Sequence, residues 1–368
     1  MRLMISGQSA AMALIATGLL TANAAQAADV TSGSLYFTTY AAMPDGKNVG
    51  KLDFNFDGTQ LTVSGQTSLV VTNGADGIIY APNGNLLVAG QSQNNITEMA
   101  PSGSIVRTNG LGSTGTATGN SYHLAVSPTN DRVYSVGNGG CASTCVSANP
   151  INVTGGLNAG GIGTTYTVSN TKSGASLDVR GLIYSPFSGK WYYTTAPDGS
   201  AAAPGKGDFG TAVINDTTHT VTLTPILTGA AQISAHGLSY DPFSKNIIIN
   251  GSGSLYQFNT TTNTIASTFS VSATGTLSST AFDQAAADGQ GHLFVASNDG
   301  SMWFIDYQSS NLIGASSNYV TQKFVANYLD DISPVINMNP IQVPEPAPLA
   351  VLGLGLLGLS LARHRRQA

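Results

Sequence analysis

Six short segments of this chain open with a polar, mostly titratable residue placed just before a hydrophobic strand start. They are Asp76-Gly77-Ile78, Tyr122-His123-Leu124, Arg180-Gly181-Leu182, His236-Gly237-Leu238, Asp283-Gln284-Ala285 and Asp330-Asp331-Ile332. Carboxylates and imidazoles brought together from separate segments can move protons, hold a small ligand or coordinate an ion. The candidate ligand-binding set is therefore Asp76, His123, Arg180, His236, Asp283 and Asp331. Residues in such positions also serve simply to satisfy backbone groups of a channel wall. With Arg180 among the acids, the set predicts an organic anion or a sugar rather than a tightly held metal, because a guanidinium competes for the same carboxylates. No catalytic residue, metal or cofactor is assigned. A Gly-x-Ser-x-Gly elbow, a phosphate loop, His-Glu-x-x-His and Cys-x-x-Cys are all missing. Asp53-Phe54-Asn55-Phe56-Asp57-Gly58 has the opening of a calcium loop, but Ser64 stands where a bidentate Glu is needed, and the alternating Phe residues read as a strand.

The elements that must position these residues form a repeat. Four starts run into a strand ending at Pro82, Pro128, Pro186 and Pro242, which are 46, 58 and 56 residues apart. A second apolar strand follows each, as in Leu86-Leu87-Val88-Ala89 and Trp191-Tyr192-Tyr193-Thr194. Outer-strand material completes several units at 95–99 and 104–106, 255–258 and 264–266, and 302–306 and 312–313. The long spacing across 138–175 reads as a Gly- and Asn-rich insertion. Four strands per unit at this period predict a β-propeller. Residues 35–38 look like a second strand whose first is missing, and 330–335 supply it from the other end, which would close the ring and hide its sheet edges. The expected fold is all-β, a single propeller over 28–340 with six blades, seven being the alternative, closed by its terminal strands.

These repeats resemble three related propeller groups. His236-Gly237-Leu238 is similar to a blade start of streptogramin-lyase-like propellers, and Asp76-Gly77 to gluconolactonase-type propellers, where Asn or Asp before Gly binds a divalent metal. NHL-type propellers use the same pattern for binding. The resemblance implies either a binding or structural module, or a propeller enzyme of lyase or lactonase type acting at the channel mouth. The lyase pattern wants a His among acid/base partners in the terminal blades, whereas His292 falls in a second strand. The lactonase pattern wants a ligand Glu near the start, whereas Glu98 falls on an outer strand. Both departures favour the non-enzymatic module.

Between Ala28 and Val343 the chain carries ten cations and eighteen acids, with no basic run, so nucleic acid is not an expected partner. Cys141 and Cys145 have three residues between them and no His near them, which in an oxidising compartment predicts a small-loop disulfide. Residues 1–27 read as a signal peptide, with Arg2, an apolar core and Ala25-Gln26-Ala27 for cleavage after Ala27. Residues 341–368 carry Pro344-Glu345-Pro346, an uncharged apolar run from Leu349 to Ala362, and then Arg363, Arg365 and Arg366. The run is shorter than the ~20 residues that cross a bilayer comfortably, and the arginines favour the cytoplasmic side. This tail resembles the PEP-CTERM signal of Gram-negative bacteria. That resemblance implies signal peptidase and exosortase as partners, and transient anchoring in the inner membrane through the apolar helix. It also implies release to the cell surface, outer membrane or extracellular matrix, with exopolysaccharide and other surface proteins as neighbours in a biofilm. Mass spectrometry of the native protein should find Ala28 at the N-terminus and no peptide beyond about residue 346. An intact Arg365-Arg366 in surface material would contradict the processing.

Overall fold

The computed structural model describes residues 30–91, 93–111, 121–137, 142–144, 146–197, 206–233, 235–271 and 282–335. Ala27, Cys141, Cys145 and the sorting residues Pro344, Glu345, Pro346, Arg363, Arg365 and Arg366 lie outside them.

The described residues are almost wholly β. The chain opens with β1 (Val30–Thr39), β2 (Val49–Asp57) and β3 (Leu61–Val70). Two four-stranded meanders follow: β4 (Ile78–Tyr80), β5 (Leu86–Ala89), β6 (Asn95–Met99) and β7 (Ile105–Gly110), then β8 (His123–Val126), β9 (Arg132–Val136), β10 (Val146–Pro150) and β11 (Thr164–Asn170). Next come β12 (Val179–Ser185), β13 (Lys190–Thr195), β14 (Phe209–Asn215) and β15 (Thr220–Leu227), and then β16 (Ala235–Asp241), β17 (Asn246–Gly251), β18 (Ser254–Asn259) and β19 (Thr264–Ser270). The last meander is β20 (Phe282–Ala287), β21 (His292–Ser297), β22 (Ser301–Asp306) and β23 (Tyr319–Phe324), and β24 (Leu329–Ile332) ends the described chain.

Turn chemistry sets the strand lengths. Asn215 and Asn259 open matching turns, each accepting from two backbone N–H groups at 2.9–3.0 Å, and His219 and Asn263 fill the left-handed slot before the next strand. Between strands the side chains alternate. In β2, Leu52, Phe54 and Phe56 are buried while Asp53, Asn55 and Asp57 face outward, so the calcium-loop lookalike is a plain strand.

The first strands β4, β8, β12, β16, β20 and β24 each contact the next, and β24 contacts β4, so they run in a closed ring. Closure comes from β24 pairing with β1 at Phe37↔Ile332 and Thr39↔Leu329, around a bulge. Ser333 reinforces it: its hydroxyl accepts from Tyr36 N at 3.0 Å, and its own N–H donates to Tyr36 O at 2.8 Å. This is the propeller closure the terminal segments predicted. Between meanders, aromatic and aliphatic side chains interlock. Phe54 and Phe56 of the first unit pack on Phe294 and Phe304 of the last, and Tyr192 and Phe209 pack on Phe258.

Three sequence expectations need correction. The stretch 138–175 is not a bare insertion, since it holds the outer strands β10 and β11. The last outer strand is β23, not 312–313; Ile313 is a buried loop residue whose N–H donates to Gln257 of the preceding meander at 3.1 Å. The sheets are also not all separate: β11 and β15 pair in parallel from Thr167↔Thr220 to Asn170↔Leu223, fusing two meanders into one eight-stranded sheet. That pairing satisfies two outer edges that would otherwise present free N–H and C=O groups.

Leu329 and Ile332 are fully buried at the closure. Ile332→Ala should cost about 2–5 kcal/mol, as other core truncations do. A chain ending at Phe324 should lose cooperative thermal melting. Melting of that shortened chain at the full-length temperature would refute the closure.

Candidate binding site at the mouth of the ring

The polar-Gly start has a steric cause. A Cβ on Gly77, Gly181 or Gly237 would run into the backbone of the next first strand, at the carbonyl oxygens of Tyr122, His236 and Asp283 respectively. Glycine lets neighbouring first strands approach closely. The residue before it is then held at the ring's inner face, at the N-terminal end of its strand. The same end of every first strand thus carries a polar side chain, and these converge.

His123 sits at the centre. Its Nδ1–H donates to the backbone oxygen of Arg180 at 2.7 Å, while Nε2 lies 3.3 Å from Asp283 Oδ1 and 3.6 Å from Asp331 Oδ2. His236 Nδ1 lies 2.5 Å from the same Asp283 oxygen, an ion-pair contact whose angle departs from a straight hydrogen bond. The two imidazoles meet edge-on, with centroids 4.8 Å apart. Asp76, His123, Asp283, Asp330 and Asp331 are all buried, and His236 is partly open.

Five of the six candidates are therefore brought together. Arg180 joins only through its carbonyl. Among the described residues no acid pairs with its guanidinium, and its Nε is buried without a partner. The expected arginine–carboxylate competition is thus not found. Two further participants were missed. Asn298 donates to Asp283 Oδ2 at 3.0 Å and to Asp330 Oδ1 at 3.3 Å, and Thr38 Oγ1 donates to Asp76 O at 2.7 Å while accepting from Asp331 N at 3.1 Å. Asn298 lies in a β21–β22 turn outside the repeat pattern, so only the fold could reveal it. The remaining suspects are elsewhere. His292 is buried at the far end of its blade against Asp288 at 2.6 Å. Glu98 pins the loop before β11, accepting from Leu157 N at 2.9 Å and from Asn83 and Asn85. His219 is an exposed turn residue.

The electrostatics are uneven. Burial, and then the charge of Asp331, push the Asp76 carboxyl well above the usual range; burial, and then Asp76, Asp283 and Asp331, do the same for Asp330. Burial also raises Asp331, against the pull of His123. Burial works against a charged His123, but Asp331 and Asp283 outweigh it and raise the imidazole well above its ordinary value. Burial would raise Asp283 too, yet His236 and His123 hold it well below. The cluster holds a charged core, Asp283 with His123, flanked by acids reluctant to ionise. Both oxygens of Asp331 and Oδ2 of Asp330 are buried with no donor at ordinary hydrogen-bond distance, His123 Nε2 standing off from Asp331 Oδ2 at 3.6 Å. Two sets of donor atoms, His123 with His236 and Asp283, and Asp76 with His123 and Asp331, each lie within 4.8 Å of one another.

At the rim, Tyr40 follows β1 and Tyr328 precedes β24. Their rings meet at 5.2 Å and 68°. Tyr328 has φ +64, a conformation that costs a bulky side chain about 1–2 kcal/mol.

Residues 342–366 match the PEP-CTERM protein-sorting motif. The chain is thus a β-propeller protein whose tail marks it for export, exosortase processing and sorting to the cell surface. No curated protein matches the chain. Among solved structures, it is similar to a putative 6-phosphogluconolactonase from Bacteroides uniformis, at 14% identity over 79% of this chain and 81% of that one, TM-score 0.46. It is also similar to a streptogramin B lyase, at 13% identity over 69% of each chain, TM-score 0.43. A PQQ-bound aldose sugar dehydrogenase from Streptomyces coelicolor gives 13% identity over 73% of this chain and 87% of that one, TM-score 0.48. At these identities and TM-scores the likenesses carry no functional argument, and the architecture rests on the strand topology above.

The raised acids make stability pH-dependent. An acid whose folded pKa is raised contributes stability that is present below its unfolded value, near 3.8, and lost as pH rises through the folded value. His123 has the same sign from about 6.5 upward, and Asp283, held low, acts oppositely at the acid end. Asp330→Asn should therefore raise Tm at pH 8 and change it little near pH 4. An equal shift at both pH values would show that Asp330 is not an unwilling acid.

Proposed function

We propose that the protein is a non-enzymatic binding module displayed at the cell surface, and that the mouth of its ring holds a divalent metal ion. The observation that carries this reading is the set of orphaned, buried carboxylate oxygens on Asp331 and Asp330 beside two imidazoles. A cation would supply the missing partners. His123, His236 and Asp283 would hold it, with Asp76 and Asp331 adjoining. Imidazole mixed with carboxylate suits manganese, iron, cobalt, nickel or zinc better than calcium or magnesium. Bound there, the ion would offer a positive anchor for oxygen-rich ligands. The sequence argument for an organic anion or sugar rested on an Arg180 guanidinium among the acids, and that support is gone. The setting in this reading is the surface matrix, with exopolysaccharide and other surface proteins as partners. A catalytic alternative, of lyase or lactonase type, would turn on His236, the partly open imidazole of the cluster.

The test is calorimetric titration of metal-free protein with manganese and with zinc, alongside metal analysis of native material. One ion per chain is expected. Asp331→Asn and His236→Ala should each weaken it at least tenfold, and ion at 100 times its Kd should add about 2.7 kcal/mol of stability. Because the ion and the proton compete for His123, affinity should fall as pH is lowered. Failure to bind either ion, or equal binding by both variants, sinks the metal reading. A deletion strain that keeps its matrix intact while lactone or lyase substrates are turned over by the purified protein would favour the enzyme.

A further inference from the structure

We propose that a groove at the mouth-side end of the β11–β15 seam binds an uncharged sugar unit of an oligosaccharide. This goes beyond the metal reading and uses none of its residues.

The groove exists because the two paired strands stop at different points. β11 and β15 run parallel as far as Asn170↔Leu223, and Thr171 N donates to Leu223 O at 2.9 Å. There the chain turns off, with Asn170 Oδ1 accepting from Lys172 N at 2.9 Å. β15 runs on to Leu227, so its last residues have no β11 neighbour. Left open is a cavity of about 540 Å³ lined by Thr171, Lys172, Pro225, Thr228, Gly229 and Gln232. Small-molecule sites commonly span about 300–1,000 Å³. First strands begin at the mouth and directions alternate within the meander, so both fourth strands end on the mouth face.

The polar groups of the groove are fixed before any guest arrives. Asp208, fully buried, accepts from Lys172 Nζ at 3.1 Å and from Gln232 Nε2 at 2.7 Å, and its own N–H donates to Thr195 Oγ1 at 3.0 Å. Gln232 is buried as well, whereas the Lys172 side chain stays 34% exposed. Thr228 stands before the short turn Gly229–Ala231 and makes no side-chain hydrogen bond to cap it. A Cβ on Gly229 would meet nothing within 4 Å, so the groove is open there.

Charge selects the guest. Among the described residues Lys172 is the one cation lining the groove, and Asp208 answers it, so an anion finds no surplus positive charge. A metal ion finds a single carboxylate that already accepts from two side chains. A neutral, hydroxyl-rich ring finds ammonium N–H donors and threonine hydroxyls that both donate and accept. The Pro225 ring and the Lys172 methylenes offer an apolar strip for its C–H face. Side chains already held in place lower the ordering cost of binding.

Cellotriose and maltotriose serve as neutral probes, with trigalacturonate and fully deacetylated chitotriose as charged counterparts, each titrated calorimetrically into the purified metal-free protein. At least one neutral trisaccharide is expected to bind one to one, with both charged trimers weaker by about tenfold or more. The double variant Thr171→Ala/Thr228→Ala changes two exposed side chains and should weaken the sugar about threefold or more with Tm unchanged. Lys172→Gln should weaken it about fivefold or more. Added manganese should leave the affinity unaltered. Sugar binding that requires manganese would put the sugar on the mouth ion, which overturns the groove and leaves the metal reading standing. Binding of neither neutral sugar, equal binding of the charged trimers, or full affinity in both variants also overturns it. Sugar binding in a protein that takes up no metal ion supports the groove and sinks the metal reading alone.

Discussion

Ring closure between the two ends of the chain governs everything else. Among the described first strands, β24 alone does not lead into its own meander; it docks on β1 instead, through Phe37↔Ile332 and Thr39↔Leu329. Each interlocking layer of a propeller lies between neighbouring units rather than within one sheet, so closing the ring adds the one layer that an open array of the same units would lack. The layer of Phe54, Phe56, Phe294 and Phe304 exists only because that contact is made. Closure also delivers Asp330 and Asp331 to the mouth, so the charge density there is a product of the same event that completes the fold.

That coupling explains how a buried nest of acids survives. Carboxylates that repel one another in a low-dielectric interior are held together by strands whose packing is settled elsewhere. Part of the repulsion is relieved by His123 and His236 around Asp283, and part by acids that keep their protons. Residual frustration shows as orphaned oxygens. Local conflict of this kind, set on a scaffold otherwise consistent from turn to core, is the pattern expected of a functional site.

The repeat was legible because its cause is local. Polar residue, glycine, apolar strand and proline recur where one first strand must pass close to the next, and Asp76 and His236 were found from that rule; His123, Asp283 and Asp331 lack the glycine and were found from their position at the start of a repeat's first strand. Arg180 obeyed the same rule, yet its guanidinium pairs with no acid among the described residues, because the pattern fixes a backbone position and not a rotamer. Asn298 and Thr38 carry no such signature; they reach the site through a turn and a second strand. The outer strands were the least readable. β23 is half-exposed and polar, so the apolar Leu312-Ile313 pair, of which only Ile313 is buried, looked more like a strand than Tyr319–Phe324 did. The parallel seam of β11 and β15 joins segments some fifty residues apart in sequence, and nothing local to either one encodes it.

The direction of β24 has a consequence for how the molecule is presented. Every first strand begins at the mouth, and β24 runs away from it, so that Val335 comes to lie near Gly33 at the opposite end of β1. The sorting motif begins only seven residues later, at 342, a span of at most about 25 Å when extended. Whatever holds the protein by its tail therefore holds it on a short leash from the rear face. A tail held at that motif would carry the domain from its rear face, with the mouth of the ring on the opposite side.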